Sequence, residues 1–181
     1  MLFTPRVWLS FVGDVNNIIN ADIVEKRYEL TFDYKGESKK EKAVLIICLN
    51  PASRDIMVSD VTTNYILNNL LPMGFTTITI CNLCARITNK LKGQDLLDNS
   101  DNLDYISTII RERKYNTILL AYGNGSGSSK NVNEEKRALE EILKNSKCTV
   151  SEIVDKAKIR MNRRVTFHKE VKTTRLCNQP E

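Results

Sequence analysis

The chain has 181 residues, enough for one domain with a substantial core and too few for two domains of ordinary size. Its 41% hydrophobic and 27% charged residues, with a net charge of +5, exclude collagenous, disordered and membrane-spanning classes. The longest apolar run, Val44 to Leu49, falls far short of the ~18 residues that a spanning helix needs.

In chain order, Met1 to Val12 lacks the basic leader and small-residue cleavage site of a secretory signal. A cytoplasmic address is expected, and five cysteines, an odd number, fit a reducing compartment. Val7 to Val24 is a polar and apolar mixture. Arg27 to Tyr34 alternates as a strand does. A charged turn with one glycine, Lys35 to Lys42, then leads into the apolar run Val44 to Asn50. This order predicts an antiparallel hairpin whose second strand is buried on both faces, because an unbroken apolar run cannot be half wet.

Two more strand-like runs follow, Thr76 to Leu83 and Thr117 to Gly123. Helical patterns separate and follow them. Asp60 to Leu71 places Val61, Tyr65, Leu67 and Leu71 behind an Asp60 N-cap and ends at Pro72 and Gly74. Asn99 to Arg113 spaces Leu103, Ile106, Ile109 and Ile110 on one stripe, and Asn131 to Leu143 does the same with Ala138, Leu139, Ile142 and Leu143. Strands alternating with helices predict an α/β fold, a mostly parallel sheet covered on both faces in a three-layer α/β/α sandwich. One domain over residues 1–181 is expected, with an N-terminal segment (1–43), a core (44–143) and a basic C-terminal segment (144–181).

Between Lys144 and Arg175 stand ten Lys or Arg against three acids, a local charge of +7 that leaves the rest of the chain near −2. A basic block on a near-neutral body is either a solvated terminus or a surface for a polyanion. It contains the single histidine, His168, and the pair Arg163 and Arg164.

In open α/β sheets ligands bind beyond the carboxyl ends of the strands, where the strand order reverses. Three strand ends are therefore candidates. Asn50-Pro51-Ala52-Ser53 puts an amide before a turn-fixing proline; the amide either closes the turn or offers a donor and an acceptor to a ligand. Asn82 interrupts a buried run, where a polar side chain is costly unless paired. Arg86, four residues on, fits either a phosphate or a surface ion pair. The third end, Tyr122 and then Gly123 to Ser129, includes Ser126 and Ser128 and reaches Lys130 at a helix start, a geometry suited to an anion. It matches neither the dinucleotide nor the P-loop signature. Cys81-Asn-Leu-Cys84 is a lone C-x-x-C with no second pair, so no metal and no cofactor is expected.

These stretches resemble a bacterial family catalogued as a domain of unknown function and often found on mobile elements. Its members read L-N-P-S, D-x-T, a glycine-led strand ending N-L-[FC]-x-[RL]-x-T, an N-D pair and a strand ending W-G. The matching stretches are Leu49-Asn-Pro-Ala-Ser53, Asp60-Val-Thr62, Gly74-Phe75 with Cys81-Asn-Leu-Cys-Ala-Arg-Ile-Thr88, Asp101-Asn102 and Ala121-Tyr-Gly123. That family in turn looks like the uracil-DNA glycosylase superfamily, an α/β/α sandwich around a parallel sheet.

The resemblance implies that Asn50 holds the hydrolytic water and Pro51 walls the pocket, with Ser53 and Asp60 beside them. Asn82 would read the pyrimidine edge, Tyr122 would stand where the superfamily has tryptophan, and His168 would stabilise the departing base. Ser126, Ser128, Lys130, Arg163 and Arg164 would hold phosphates. Two departures accompany it: no aspartate occupies the Asn50 position, and His168 lacks the H-P-S-P setting. The implied function is binding of DNA, single- or double-stranded, or of a nucleotide, by a weakly active or inactive relative. The alternatives are a decoy that binds an acidic, DNA-mimicking glycosylase inhibitor, and an enzyme acting on nucleotides or nucleosides.

Overall fold

The apolar runs become the middle of a six-stranded sheet. A computed structural model describes residues 6–19, 22–35, 42–52, 61–122 and 129–153. Its strands are β1 (Arg6–Ile19), β2 (Asp22–Lys35), β3 (Ala43–Cys48), β4 (Thr77–Asn82), β5 (Thr117–Ala121) and β6 (Thr149–Glu152), and its helices α1 (Val61–Leu70), α2 (Ser100–Glu112) and α3 (Lys130–Lys144). The strand order is β1-β2-β4-β3-β5-β6. All pairings from β4 to β6 are parallel, and β1 and β2 extend the sheet in the antiparallel sense.

The expected hairpin between Arg27–Tyr34 and Val44–Asn50 does not form. The stretch beginning at Val7, which showed no clear strand pattern, pairs with β2 instead, and β2 pairs on its other side with β4. The physical reason lies in the two strands themselves. β3 is apolar on both sides, and it gains most between two neighbours under helices on both faces: Val44 to Ile47 are fully buried. β2 alternates apolar residues with Glu29, Thr31 and Asp33, and takes a place nearer the border.

Strand alternation then sorts the core into two halves. On one face Val44, Ile46, Ile78 and Ile80 pack under Ile66 and Leu70 of α1. On the other, Leu45, Ile47, Cys81 and Ile118 pack under Ile106 and Ile109 of α2 and Leu139 and Leu143 of α3. Helices thus cover both faces of a mostly parallel sheet, and the helix bounds lie within one residue of those read from the periodicity. Among the described residues no helix is long and apolar enough to cross a membrane.

β2 carries a bulge. Val12 pairs with Glu29 and Gly13 with Arg27, so Tyr28 is an extra residue. An extra residue re-phases the side chains. Tyr28 lies 5.6 Å from the Tyr105 ring of α2, Glu29 accepts a bond from the Tyr105 hydroxyl, and Lys26 reaches Asp98 just before α2.

Candidate functional site

The carboxyl ends of the parallel strands lie level. Cys48 is in register with Asn82 on one side and Ala121 on the other. Adjacent strands lie about 4.8 Å apart, so the three tips form a short row. The chain leaves β3 for the α1 face but leaves β4 and β5 for the face of α2 and α3. This divergence makes the β3 tip a switch point, the place where α/β folds open a crevice.

Beyond the strands the β3 and β4 segments stay zipped together: Leu83 N–H donates to Cys48 O at 2.8 Å, Cys84 N–H to Leu49 O at 2.9 Å and Thr88 N–H to Pro51 O at 3.0 Å. The Asn50 amide nitrogen completes the zip by donating to Thr88 O at 2.6 Å and to Pro51 O at 3.2 Å. Facing two carbonyls, the amide must turn its NH2 inward, which leaves its oxygen as the acceptor on the opposite edge. Pro51 beside it is buried. Asn50 therefore combines the turn-closing role with an acceptor edge that is free among the described residues; it can orient a donor such as water but cannot remove a proton from it.

Asn82 continues the Ile78 and Ile80 side of β4, which puts its side chain on the α1 face. It is only 3% exposed, and among the described residues its side chain makes no hydrogen bond. Its backbone is held from the other side. Asn102 Nδ2 donates to the carbonyls of Asn82 (2.9 Å) and Leu83 (3.1 Å). Asn99 Nδ2 donates to Leu83 O at 2.8 Å and to Glu135 Oε2 of α3 at 3.2 Å, while its oxygen accepts from Ala85 N–H at 3.2 Å. Burial pushes the Glu135 carboxyl up, partly offset by the Asn99 bond.

In the sequence Asn99 reads as a helix start and Asn102 as a motif residue, not as parts of a site. A signal was available: Asn102 shares a stripe with Ile106 and Ile109, and a buried amide on an apolar stripe needs partners.

The remaining candidates are spread more widely. Arg86 forms an ion pair with Asp95 at 3.0 Å, and Asp95 also accepts from Lys92 N–H at 2.7 Å, so Arg86 braces the short turn Gly93–Leu96. Tyr122 packs against the core under α2 and α3, with Lys136 Nζ 5.2 Å from its ring centre. It thus lies on the opposite face from Asn82. Burial, followed by the charges of Glu140 and Glu152, pushes its hydroxyl upward.

Lys130 opens α3, exposed and 3.7 Å from Glu134. The next residue, Asn131, donates to Gly93 O at 2.8 Å and docks the helix start on the same turn. Ser53, Asp60, Ser126, Ser128, Arg163, Arg164 and His168 lie outside the described residues. Cys84 Sγ contacts Asp95 O at 3.5 Å, and burial pushes its thiol up to about 11. Among the described residues no group of His, Cys, Asp and Glu could hold a metal.

A second polar cluster lies under α2. Glu29, 3% exposed, accepts from Arg113 Nη1, Tyr105 Oη and Thr31 Oγ1, each at 2.7 Å. Thr31 and the Tyr115 hydroxyl each reach Thr79 at 3.0 Å. Every strong group here already has a partner, which marks a structural network rather than an open site.

A family model described as a protein of unknown function (DUF1643) matches residues 27–164. Neither a curated protein nor a solved structure matches the chain. The family match begins inside β2 and extends beyond β6, and Asn50, Asn82, Asn99 and Asn102 all lie within it.

Proposed function

Because the chain belongs to the DUF1643 family, a family of unknown function, we propose a function from its site: it is a uracil-DNA-glycosylase-like protein that binds DNA by taking one nucleobase into the crevice beyond β3 and β4. The observation that carries this reading is the Asn82 amide, almost fully buried and without a hydrogen-bond partner among the described residues. An amide matches a pyrimidine edge because it offers a donor and an acceptor side by side. A base reaches such a pocket by leaving the stack. The sheet order and the helices on both faces are compatible with a glycosylase-like sandwich.

In this reading Asn50 presents its oxygen to a water near the sugar, but no carboxylate stands there to take the proton. A misplaced or missing electrostatic group costs roughly 10²-fold or more in rate, so binding exceeds cleavage. In the same reading His168 faces the departing base, while Arg163 and Arg164 of the basic segment and the stretch Ser126, Ser128 and Lys130 supply phosphate contacts, and affinity falls with salt.

The test compares wild type and N82A on single-stranded oligonucleotides carrying one uracil or one abasic site, with strand cleavage followed in parallel. Wild type prefers uracil, and N82A loses roughly tenfold or more of that preference, the scale of one paired amide contact. Equal binding of both strands by wild type overturns the reading. Capture of an acidic DNA-mimicking inhibitor without DNA retention replaces it with the decoy.

A further inference from the structure

We infer that Asn102 is the positioning residue for the Asn82 amide, an assignment that rests on the nucleobase reading above and extends it to a residue that touches no ligand. β4 ends at Asn82, and the peptide that follows is tied to β3 on one side by Leu83 N–H to Cys48 O at 2.8 Å, which leaves its carbonyl to be held from the other side. A side chain at the last residue of a strand is only as fixed as the peptide beneath it. Here that peptide carbonyl is gripped by Asn102 Nδ2 at 2.9 Å, with the next carbonyl, that of Leu83, held by the same nitrogen at 3.1 Å. Two carbonyls converging on one NH2 group set the direction in which the chain leaves the strand, and hence the direction of the Asn82 side chain on the opposite face.

The grip has a cost that packing alone does not explain. Asn102 is 1% exposed, and its Oδ1 is buried with no hydrogen-bond partner among the described residues. A leucine on this stripe, beside Ile106 and Ile109, would leave no such orphan acceptor. Leaving a buried acceptor unpaired is unfavourable, so what the amide contributes is its two donated bonds. Asn99 holds the following residues through Leu83 O and Ala85 N–H and is itself bonded to Glu135. The Asn82 peptide, by contrast, is held by Asn102 alone among these side chains.

The experiment has one readout without ligand and one with it. In the ligand-free protein the Asn82 side-chain NH2 signals are followed by 15N–1H NMR, identified by their loss in N82A. N102A, which truncates the amide, and N102D, which keeps its shape but removes the NH2 group, are each expected to shift and broaden these signals while amide signals of the α3 core around Leu139 stay in place. With the oligonucleotides, both variants lose roughly tenfold of the preference for uracil over the abasic strand, while affinity for the abasic strand is unchanged.

Unchanged Asn82 signals in a folded N102A or N102D overturn the inference. So does a variant that melts earlier yet keeps the full uracil preference, since that is a structural role only. If the Asn82 signals move but wild type shows no uracil preference, the positioning role stands and the nucleobase reading falls.

Discussion

Asn50 and Thr88, 38 residues apart, are joined directly: the Asn50 amide donates to the Thr88 carbonyl at 2.6 Å and ties the β3 tip to the segment leaving β4. The bond fixes which edge of the amide faces outward. N50A therefore loses about 1–2 kcal/mol of stability, the scale of one good hydrogen bond with its partner left behind. N50D, which puts a carboxylate at this strand tip, sets an oxygen against the Thr88 carbonyl. It is expected to destabilise more than N50A and to release uracil no faster than wild type. Melting curves and a strand-cleavage assay check both statements; faster release by N50D at an unchanged melting temperature would contradict them.

Among the described residues, Glu29 is a carboxylate on which acid stability depends. Burial pushes its pKa up, but the bonds from Arg113, Thr31 and Tyr105 and the guanidinium charge outweigh this and hold it below its ordinary 4.5. The native value is thus below the unfolded one. Its contribution is present above about pH 4.5 and is lost as pH falls through the native pKa, because the unfolded state then binds more protons. E29Q should flatten urea midpoints below pH 4.5. At neutral pH it should cost about 3 kcal/mol, near the low end for a broken buried pair because Arg113 is partly exposed and recovers water.

Lys26 is predicted to behave in the opposite way, although it too is buried. Its ammonium lies 3.1 Å from Asp98 and 3.8 Å from Asp101, and both acids are more than half exposed. Removing the lysine leaves two carboxylates already in water, and an apolar side chain of similar length fills the space. K26M should change stability by less than about 1 kcal/mol, measured by urea denaturation beside E29Q. A loss as large as that of E29Q would show that the two acids depend on Lys26.

The four cysteines among the described residues are expected to react in order of burial. Burial raises the thiols of Cys81 and Cys84, the latter to about 11, and also that of Cys148, which is only partly buried. Since the thiolate is the reactive form and access limits attack, a thiol reagent on native protein should label Cys148 before Cys48, Cys81 or Cys84. Peptide mapping by mass spectrometry gives the order.

Four strands and three helices were legible in the sequence because each depends on local periodicity: the alternation from Arg27 to Tyr34, the runs around Ile46, Ile80 and Leu119, and the helical patterns from Asp60, Asn99 and Asn131. In the first helix the buried stripe is not the expected one of Val61, Tyr65, Leu67 and Leu71: Thr63, Ile66 and Leu70 face the core and Val61 is 84% exposed. The pairing of β2 was not. Alternation says that a segment is a strand but not which neighbour it takes, and that choice is a long-range competition won by the two-sided apolar β3. At the site, Asn82 stood out because a polar residue in a buried run demands an explanation. Asn99 and Asn102 did not, because asparagines at a helix start usually cap it, and only the fold shows them turned inward onto the β4 turn. Tyr122 is the converse case: its place at a strand end was legible, but not the side of the sheet to which it belongs.

The extra residue at Tyr28 gives β2 a seam. Side chains on either side of it follow separate alternations that happen to agree in turning Lys26 and Glu29 toward α2. A chain shorter by one residue at this point would straighten the strand without reversing the phase of either half. Length is thus negotiable here, whereas a one-residue change between Leu30 and Asp33, where β2 pairs with β4 without a break, would turn a whole row of the core inside out.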